Sequence, residues 1–351
     1  MNALSVAVAA NLPVLLWGAP GTGKTSAVLA LGERLGLPVE VVVGSIREPS
    51  DFAGLPVLRD GRTWFAPPRW AERLAESGTG ILFLDELTTA PPAVQAAMLR
   101  VVLERAVGDL TLPASVRVVA AANPPEQAAD GWDLSAPLAN RLIHLDWTVS
   151  AASVADGFTA GFPPPSLDGL DPAAVRPADV SRSRALVGAF LRVRPELVLS
   201  VPDGPSRAWP SPRTWELAAT ALAYTGASEA VRAELVVGAV GEAAGFELLS
   251  WLRDLDLPDP ETLLSDPTAP LPDRVDRVHA VLGSVVAHVA ADGSADTWQR
   301  AWTLIARVAR HTPDVAATAA RSLAARRPRG AVLPGTVLHL TPILRSAGLL
   351  P

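Results

Sequence analysis

One stretch decides the fold: Gly18-Ala19-Pro20-Gly21-Thr22-Gly23-Lys24-Thr25, which matches the pattern G-x-x-x-x-G-K-[ST]. Lys24 is the only lysine of a chain that otherwise uses arginine for its basic residues. The apolar run Pro13–Trp17 precedes the stretch and predicts a short buried strand, and Thr25–Leu35 follows it and predicts a helix. A strand, a glycine-rich loop and a helix in this order are the setting that a phosphate-binding loop requires.

The residue types of this Walker A pattern suit a bound triphosphate. Glycines allow the backbone to approach closely and to direct several N–H groups at phosphate oxygens. The N-terminus of the following helix adds partial positive charge. Lys24 is expected to reach the β- and γ-phosphates as a compact charge, and Thr25 to offer its hydroxyl to Mg²⁺. The loop therefore predicts ATP and Mg²⁺ as ligands.

A second motif is the apolar run Gly80–Glu86, which ends in two acids. Such a run predicts a strand of a parallel sheet, and α/β folds bind ligands at the carboxyl ends of these strands. Asp85 is expected to hold Mg²⁺ through water, and Glu86 to polarise the attacking water as a general base. Arg117–Pro124 predicts a further strand, whose polar residue Asn123 would orient the water or contact the γ-phosphate. The expected nucleotide-binding residues are Gly18, Ala19, Pro20, Gly21, Thr22, Gly23, Lys24, Thr25, Ser26 and Asp85, with Thr25 and Asp85 at the magnesium ion.

In their order along the chain, these motifs resemble those of an AAA+ ATPase of the MoxR type, in the group with a helix-2 insert. Gly18–Thr25 resembles the Walker A motif, Ile81–Glu86 the Walker B motif, and Asn123 the residue called sensor 1. The resemblance covers residues 1 to about 245. It implies a P-loop α/β core with a five-stranded parallel sheet, followed by an all-helical lid.

The same resemblance assigns roles to two arginines. Arg141 resembles the arginine finger, which reaches the γ-phosphate held by a neighbouring subunit. The family more often has Asp-Arg-Phe where this chain has Asn140-Arg141-Leu142. Arg213 resembles sensor 2, which starts a lid helix and contacts the nucleotide of its own chain. The expected catalytic residues are Glu86, Asn123, Arg141 and Arg213.

The pattern of elements divides the chain into three parts. Residues 1–150 are predicted to form the nucleotide-binding α/β core, with the helix-2 insert near 45–67 and a hairpin near 105–116. Residues 151–250 are predicted to form the helical lid, and residues 251–351 a helical extension with no specific resemblance.

Single elements of the helical part are also predicted. Thr214–Tyr224 and Glu229–Leu249 are expected to be lid helices. Trp298 and Trp302 are four residues apart and share one helix face, so we expect them to pack in a core or an interface.

The composition excludes several kinds of site. The chain has 351 residues and no cysteine, which excludes disulfides, zinc–thiolate sites, iron–sulfur clusters and thiol nucleophiles. The five histidines show no paired ligand spacing, so no metal beyond the nucleotide's Mg²⁺ is expected. The apolar segment Ala3–Ala19 lacks a basic start and ends in the glycine-rich loop, which favours a helix and a strand over a signal peptide. No apolar stretch predicts a membrane span, and a cytoplasmic location is expected.

The resemblance implies an enzyme that hydrolyses ATP to ADP and phosphate in a homo-oligomeric ring, expected to be a hexamer. Its expected role is chaperone-like remodelling or activation of a client protein, often beside a partner with a von Willebrand factor A domain. Two alternatives are a nucleic-acid-dependent motor or loader and an ATP-gated scaffold with negligible turnover. The net charge of −6 disfavours the first, and Glu86 disfavours the second, because a mere binder needs no general base.

Overall fold

The chain forms two compact units in the computed structural model. Unit 1 comprises Met1–Ala174 and Leu199–Gly245, and unit 2 comprises Val175–Val198 and Phe246–Pro351. The predicted lid, residues 151–250, is therefore shared between the two units, and the boundaries of core, lid and extension stay a prediction. The structure describes residues 2–124, 131–163, 165–167, 176–204, 206–224, 226–332, 334, 335, 337, 340, 341 and 345.

A five-stranded parallel sheet forms the centre of unit 1. The strands of the described chain are β1 Val14–Trp17, β2 Val39–Val43, β3 Leu55–Arg59, β4 Arg62–Ala66, β5 Gly80–Asp85, β6 Ala106–Val107, β7 Leu110–Thr111, β8 Val116–Ala122 and β9 Ile143–Asp146. The sheet has the order β2-β5-β8-β1-β9, and all of its neighbouring strands are parallel. Strands β1, β5 and β8 are almost wholly buried, as strands covered on both faces must be. The predicted parallel α/β core is confirmed.

Two antiparallel hairpins lie outside this sheet. Strands β3 and β4 are joined by Asp60 and Gly61, whose φ angles of +53° and +74° suit a two-residue hairpin turn. The second hairpin pairs β6 with β7 and turns at Gly108. Both hairpins occur where the sequence predicts them, within 45–67 and 105–116.

Helices account for most of the remaining described chain. They are α1 Ala3–Ala9, α2 Lys24–Leu35, α3 Ser50–Ala53, α4 Arg69–Ser77, α5 Pro92–Glu104, α6 Ala136–Ala139, α7 Ala151–Ala160, α8 Pro177–Val193, α9 Pro212–Leu222, α10 Glu229–Val240, α11 Glu242–Arg253, α12 Pro260–Ser265, α13 Val275–Asp292, α14 Ala295–Ala309 and α15 Pro313–Ala324. The segment predicted as helical over Glu229–Leu249 is two helices, because Gly241 lies between them with a φ of +85°. Within the described residues, no helix combines the length and the apolar character needed to cross a bilayer.

The core of unit 2 is built around two tryptophans. Trp298 and Trp302 are fully buried on one face of α14, with ring centroids 5.7 Å apart in an edge-to-face arrangement. The indole Nε1 of Trp298 donates a hydrogen bond to the carbonyl of Leu323 at 3.0 Å, which ties α14 to α15. The predicted packing role of this pair is confirmed, as packing in the core of unit 2.

Candidate nucleotide-binding site

The glycine-rich loop connects the end of β1 to the start of α2. Gly21 and Gly23 have φ angles of +78° and +84°, in the left-handed region that favours glycine. A Cβ atom at either position would meet no atom within 4 Å, so the loop lines open space. In the described part of the chain, the N–H groups of Gly21, Thr22 and Gly23 donate no hydrogen bond. The loop therefore offers unpaired donors beside the N-terminus of a helix, which is the arrangement that binds anions.

Trp147 braces this loop from the end of the neighbouring strand β9. Its indole Nε1 donates a hydrogen bond to the carbonyl of Thr22 at 3.0 Å. Its own carbonyl lies so close to Gly18 that a Cβ there would come within 2.4 Å. The first glycine of the motif is thus required for the close approach of Trp147. The sequence patterns assign no role to Trp147, because its contact with the loop spans 125 residues.

Lys24 is folded back onto the loop that precedes it. Its Nζ donates hydrogen bonds to the carbonyls of Gly18 and Ala19, at 2.6 and 3.0 Å. The same Nζ lies 3.2 Å from Oδ1 of Asn123, which follows β8. Burial lowers the pKa of Lys24, and the negative charge of Asp85 opposes that shift. Lys24 as a residue is only 8% exposed. Its ammonium group contacts the amide oxygen of Asn123 and is influenced by the charge of Asp85.

Two side chains with oxygen atoms that suit a magnesium ion, Thr25 and Asp85, lie side by side. The hydroxyl of Thr25 donates a hydrogen bond to Oδ2 of Asp85 at 2.7 Å. The other carboxylate oxygen of Asp85 accepts a hydrogen bond from the backbone N–H of Glu86 at 2.9 Å. Hydroxyl and carboxylate oxygens are the ligands that Mg²⁺ prefers in sites of this kind.

Glu86 has an unusual backbone conformation, and its carboxylate is hydrogen-bonded by a serine. Its φ of +56° is unusual for a residue other than glycine, and such conformations cost about 1–3 kcal/mol, which the surrounding structure must offset. The hydroxyl of Ser45 donates a hydrogen bond to Oε2 of Glu86. Ser45 lies just after β2, and Val43 of β2 pairs with Asp85 of β5, so the two strand ends meet. No sequence motif marks Ser45, because a single serine after a strand forms no distinctive pattern.

One cavity of about 350 Å³ joins the predicted motifs. Its lining combines the glycine-rich loop with the acids after β5 and the amide after β8. The lining residues are Pro20, Gly21, Thr22, Gly23, Lys24, Thr25, Ser26, Asp85, Glu86 and Asn123. Gly18 and Ala19 support the cavity through their contacts with Lys24 rather than by lining it.

The two predicted arginines lie near each other and do not line this cavity. Arg141 lies between α6 and β9, and Arg213 is in the first turn of α9. Burial lowers the pKa of Arg141, and the positive charge of Arg213 lowers it further. The hydroxyl of Ser211, which caps α9, donates to Oδ1 of Asn140 at 2.8 Å and ties the two segments together. The structure thus places the two arginines together but does not place either at the loop.

A buried histidine stabilises the sheet beside the site. Nδ1 of His144 accepts a hydrogen bond from Nε1 of Trp17 at 2.8 Å, and its Nε2 lies 3.0 Å from the carbonyl of Ala139. Burial lowers the pKa of His144 to about 4, so the ring is neutral at neutral pH. Arg207 stacks on the Trp17 ring at 4.5 Å and pairs with Asp146 at 2.8 Å. These contacts hold the carboxyl ends of β1 and β9 together.

His144 predicts a loss of stability in mild acid. The unfolded chain binds a proton to this ring below about pH 6.5, whereas the folded chain resists protonation until about pH 4. Stability is therefore complete above pH 6.5 and falls as the pH drops from 6.5 to 4, by about 3 kcal/mol from this residue. Urea unfolding of the chain and of His144→Gln across this range measures the effect. Equal pH dependence in both proteins would contradict it.

Comparison with known proteins identifies the domain that carries this site. Residues 13–142 match the family model described as AAA domain (dynein-related subfamily). This segment of the chain is similar to an AAA domain. The match contains the glycine-rich loop, Asp85, Glu86, Asn123 and Arg141, whereas Arg213 lies outside it. The AAA+ resemblance recognised from the sequence is confirmed for residues 13–142.

Curated relatives are similar to part of this chain. The Nif-specific regulatory protein of Azorhizobium caulinodans is 35% identical over 160 residues, which cover 40% of this chain and 24% of the relative. The C4-dicarboxylate transport transcriptional regulatory protein DctD of Rhizobium meliloti is 33% identical over 131 residues, or 32% of this chain and 26% of the relative. The chain therefore spans about a quarter of the length of these relatives.

A solved structure is also similar to this chain. It is the crystal structure of a putative ATPase from Cytophaga hutchinsonii, whose sequence is 15% identical. The alignment covers 73% of this chain and 88% of the ATPase chain, with a TM-score of 0.45.

Removal of the Ser45 hydroxyl is expected to change the rate of turnover without changing the nucleotide affinity. Its hydroxyl contacts the Glu86 carboxylate, and it does not line the cavity of the AAA+ site. We expect Ser45→Ala to change the rate of ATP hydrolysis about three- to tenfold, since a misplaced or freed base alters only the chemical step. ATP affinity and hydrolysis rate are measured separately, and Ser45→Thr, which keeps the hydroxyl, serves as the control. A change in affinity alone would contradict the contact's proposed role.

Proposed function

We propose that the chain hydrolyses ATP to ADP and phosphate. One observation carries the proposal: Lys24, the Thr25–Asp85 pair, Glu86 and Asn123 surround a single cavity next to unpaired backbone donors. These groups supply phosphate binding, metal binding and a general base, which together are the parts that ATP hydrolysis requires.

The residues of the site fit ATP with Mg²⁺. The unpaired N–H groups of residues 21–23 fit phosphate oxygens, and the Thr25 and Asp85 oxygens fit the metal. Mg²⁺, when bound with ATP, neutralises charge on the β- and γ-phosphates.

The chain's own groups then have distinct tasks. Lys24 exchanges its bonds to the Gly18 and Ala19 carbonyls for bonds to phosphate, which is favourable because charged partners bind more strongly. The Glu86 carboxylate accepts a proton from the attacking water, and Ser45 fixes one oxygen of that carboxylate. Asn123 orients the water or contacts the γ-phosphate beside Lys24.

We also propose that the active form is a homo-oligomeric ring of the MoxR type, a hexamer, that remodels a client protein. The ring proposal is supported by the position of Arg141, which does not line the cavity of its own chain. In this proposal Arg213 contacts nucleotide from the same chain, and hydrolysis moves the helical part relative to the core. The client, with or without a von Willebrand factor A domain, and a cytoplasmic location remain predictions.

The direct test is phosphate release by the purified chain with ATP and Mg²⁺, together with its mass in solution. We expect turnover, and a ring-sized assembly when ATP is present. A chain that binds ATP but stays monomeric and inactive at high concentration would support the scaffold alternative instead.

If Arg141 acts at the site of a neighbouring subunit, two different inactive variants should restore activity when they are mixed. Arg141→Ala is expected to bind ATP normally and to hydrolyse it at least about a hundredfold more slowly, because a transition-state charge contact is lost. Mixing Arg141→Ala with Lys24→Ala subunits restores part of the activity, since each variant supplies the group that the other lacks. The measurement is phosphate release against the mixing ratio, with Arg34→Ala as an exposed control. Failure of the mixture to recover activity would exclude action between subunits.

The curated relatives favour one second candidate, a nucleic-acid-linked role. Both are named as regulatory proteins, one of them transcriptional, and the similarity covers 24% and 26% of their lengths. Addition of DNA to the ATPase reaction tests this role, because a nucleic-acid motor is stimulated and its binding weakens with salt. Unchanged turnover with DNA and RNA would leave the client-protein proposal in place.

A further inference from the structure

A second cavity lies within unit 2, between helices α8, α13 and α15. Its volume is about 290 Å³, and it shares no lining residue with the ATP cavity. Helices α8 and α13 pack closely where Gly283 faces Ala185, since a Cβ on Gly283 would lie 2.6 Å from the Ala185 side chain. Gly188, one turn along α8, faces open space instead, because a Cβ there would meet no atom within 4 Å. The absence of a side chain at Gly188 keeps the cavity open.

Three arginines and one histidine line this α8–α13–α15 cavity. Arg184 and Arg192 come from α8, His279 from α13, and Arg326 from the segment after α15. Among the described residues, no carboxylate lines the cavity, and neither Arg192 nor Arg326 forms an ion pair. Burial, and then the charge of Arg192, lower the pKa of His279. The described lining of the cavity is therefore electropositive, with Arg192 and Arg326 as its cations that form no ion pair.

The lining also supplies hydroxyl groups. Thr318 and Ser322 of α15 line the same cavity as the arginines. Guanidinium groups bind phosphate oxygens in pairs, and hydroxyl groups complete the hydrogen bonds that such a group accepts. Converging like charges repel each other, and a bound anion removes that repulsion. The small volume suits a small molecule better than a segment of a protein.

We propose that the α8–α13–α15 cavity binds a small phosphate-bearing anion, held by Arg192 and Arg326. The site shares no lining residue with the ATP cavity. Its α8 side belongs to the predicted lid, and its α13 and α15 sides belong to the predicted extension, which has no specific resemblance. A molecule bound here stabilises the packing of three helices in unit 2.

The probe is inorganic pyrophosphate, titrated calorimetrically into the full-length chain. The measurement uses a Lys24→Ala background, because the glycine-rich loop also binds phosphates. We expect saturable binding to one site per chain. Arg192→Gln combined with Arg326→Gln weakens it at least about tenfold, as expected for losing charged hydrogen bonds.

A variant that fills the cavity distinguishes binding inside the cavity from non-specific attraction to the positive charge of the surface. Gly188→Leu fills the open space without changing any charge, and leucine is a better helix former than glycine, so the variant folds. It is expected to abolish pyrophosphate binding, whereas Arg253→Gln, an exposed change elsewhere on unit 2, leaves it intact. Thermal unfolding of each variant checks the fold.

Two results would overturn the proposal. One is the lack of saturable pyrophosphate binding at millimolar concentration, or binding that survives both the arginine changes and Gly188→Leu. The other is equal affinity for citrate, which would show that the cavity does not select phosphate.

Discussion

Lys24→Ala is expected to lose ATP binding by a factor of about 100 or more, because in the proposed complex its ammonium group forms charge-assisted hydrogen bonds to the phosphates. No other lysine exists in the chain that could replace its ammonium group. Titration with a fluorescent ATP analogue measures the affinity, and thermal unfolding checks that the loop still folds.

Two further variants sharpen this experiment. Lys24→Arg keeps the charge but places a planar group where a compact one fits, so we expect only partial binding. Arg34→Ala removes an exposed cation from the same helix, α2, and is expected to bind ATP normally. An unchanged affinity in Lys24→Ala would remove the phosphate-binding assignment of the loop.

Glu86→Gln is expected to slow hydrolysis by a factor of about 10²–10⁴ while ATP binding is retained, because the amide cannot accept the proton of the attacking water. The amide keeps the shape of the carboxylate, and its oxygen can still accept the hydrogen bond from Ser45. Single-turnover phosphate release separates the chemical step from binding and product release.

The matched control is Glu76→Gln, an exposed carboxylate on α4. It is expected to leave both binding and turnover unchanged. In the proposed ring, Glu86→Gln subunits would stay loaded with ATP, so the variant also tests for the proposed client protein by capture and mass spectrometry. A Glu86→Gln protein that remains active would mean that another group acts as the base.

The glycine-rich loop and the strand that precedes the two acids could be predicted, because consecutive residues of the sequence determine them. The positive φ angles of Gly21 and Gly23 and the burial of β5 follow from glycine and from apolar runs, which the sequence displays directly. The order of motifs then predicts the parallel sheet and the meeting of Lys24, Asp85 and Asn123 at one edge.

The remaining parts depend on contacts between distant segments. Ser45 and Trp147 reach the site through strand pairing and packing, and neither residue type signals such a role. The break at Gly241 needs a backbone angle that glycine permits but does not require. The two units also interleave along the chain, which no composition change marks.

The lone lysine has a consequence for the chemical modification of this protein. Acylating reagents and enzymes that act on side-chain amines find one target, and that target lies on the phosphate loop, 8% exposed. Acetylation there would remove the charge and add bulk in the cavity, so labelling of the amine and loss of catalysis would coincide. Bound nucleotide would shield the Lys24 amine, so the extent of labelling at Lys24 itself would report how much of the site is occupied.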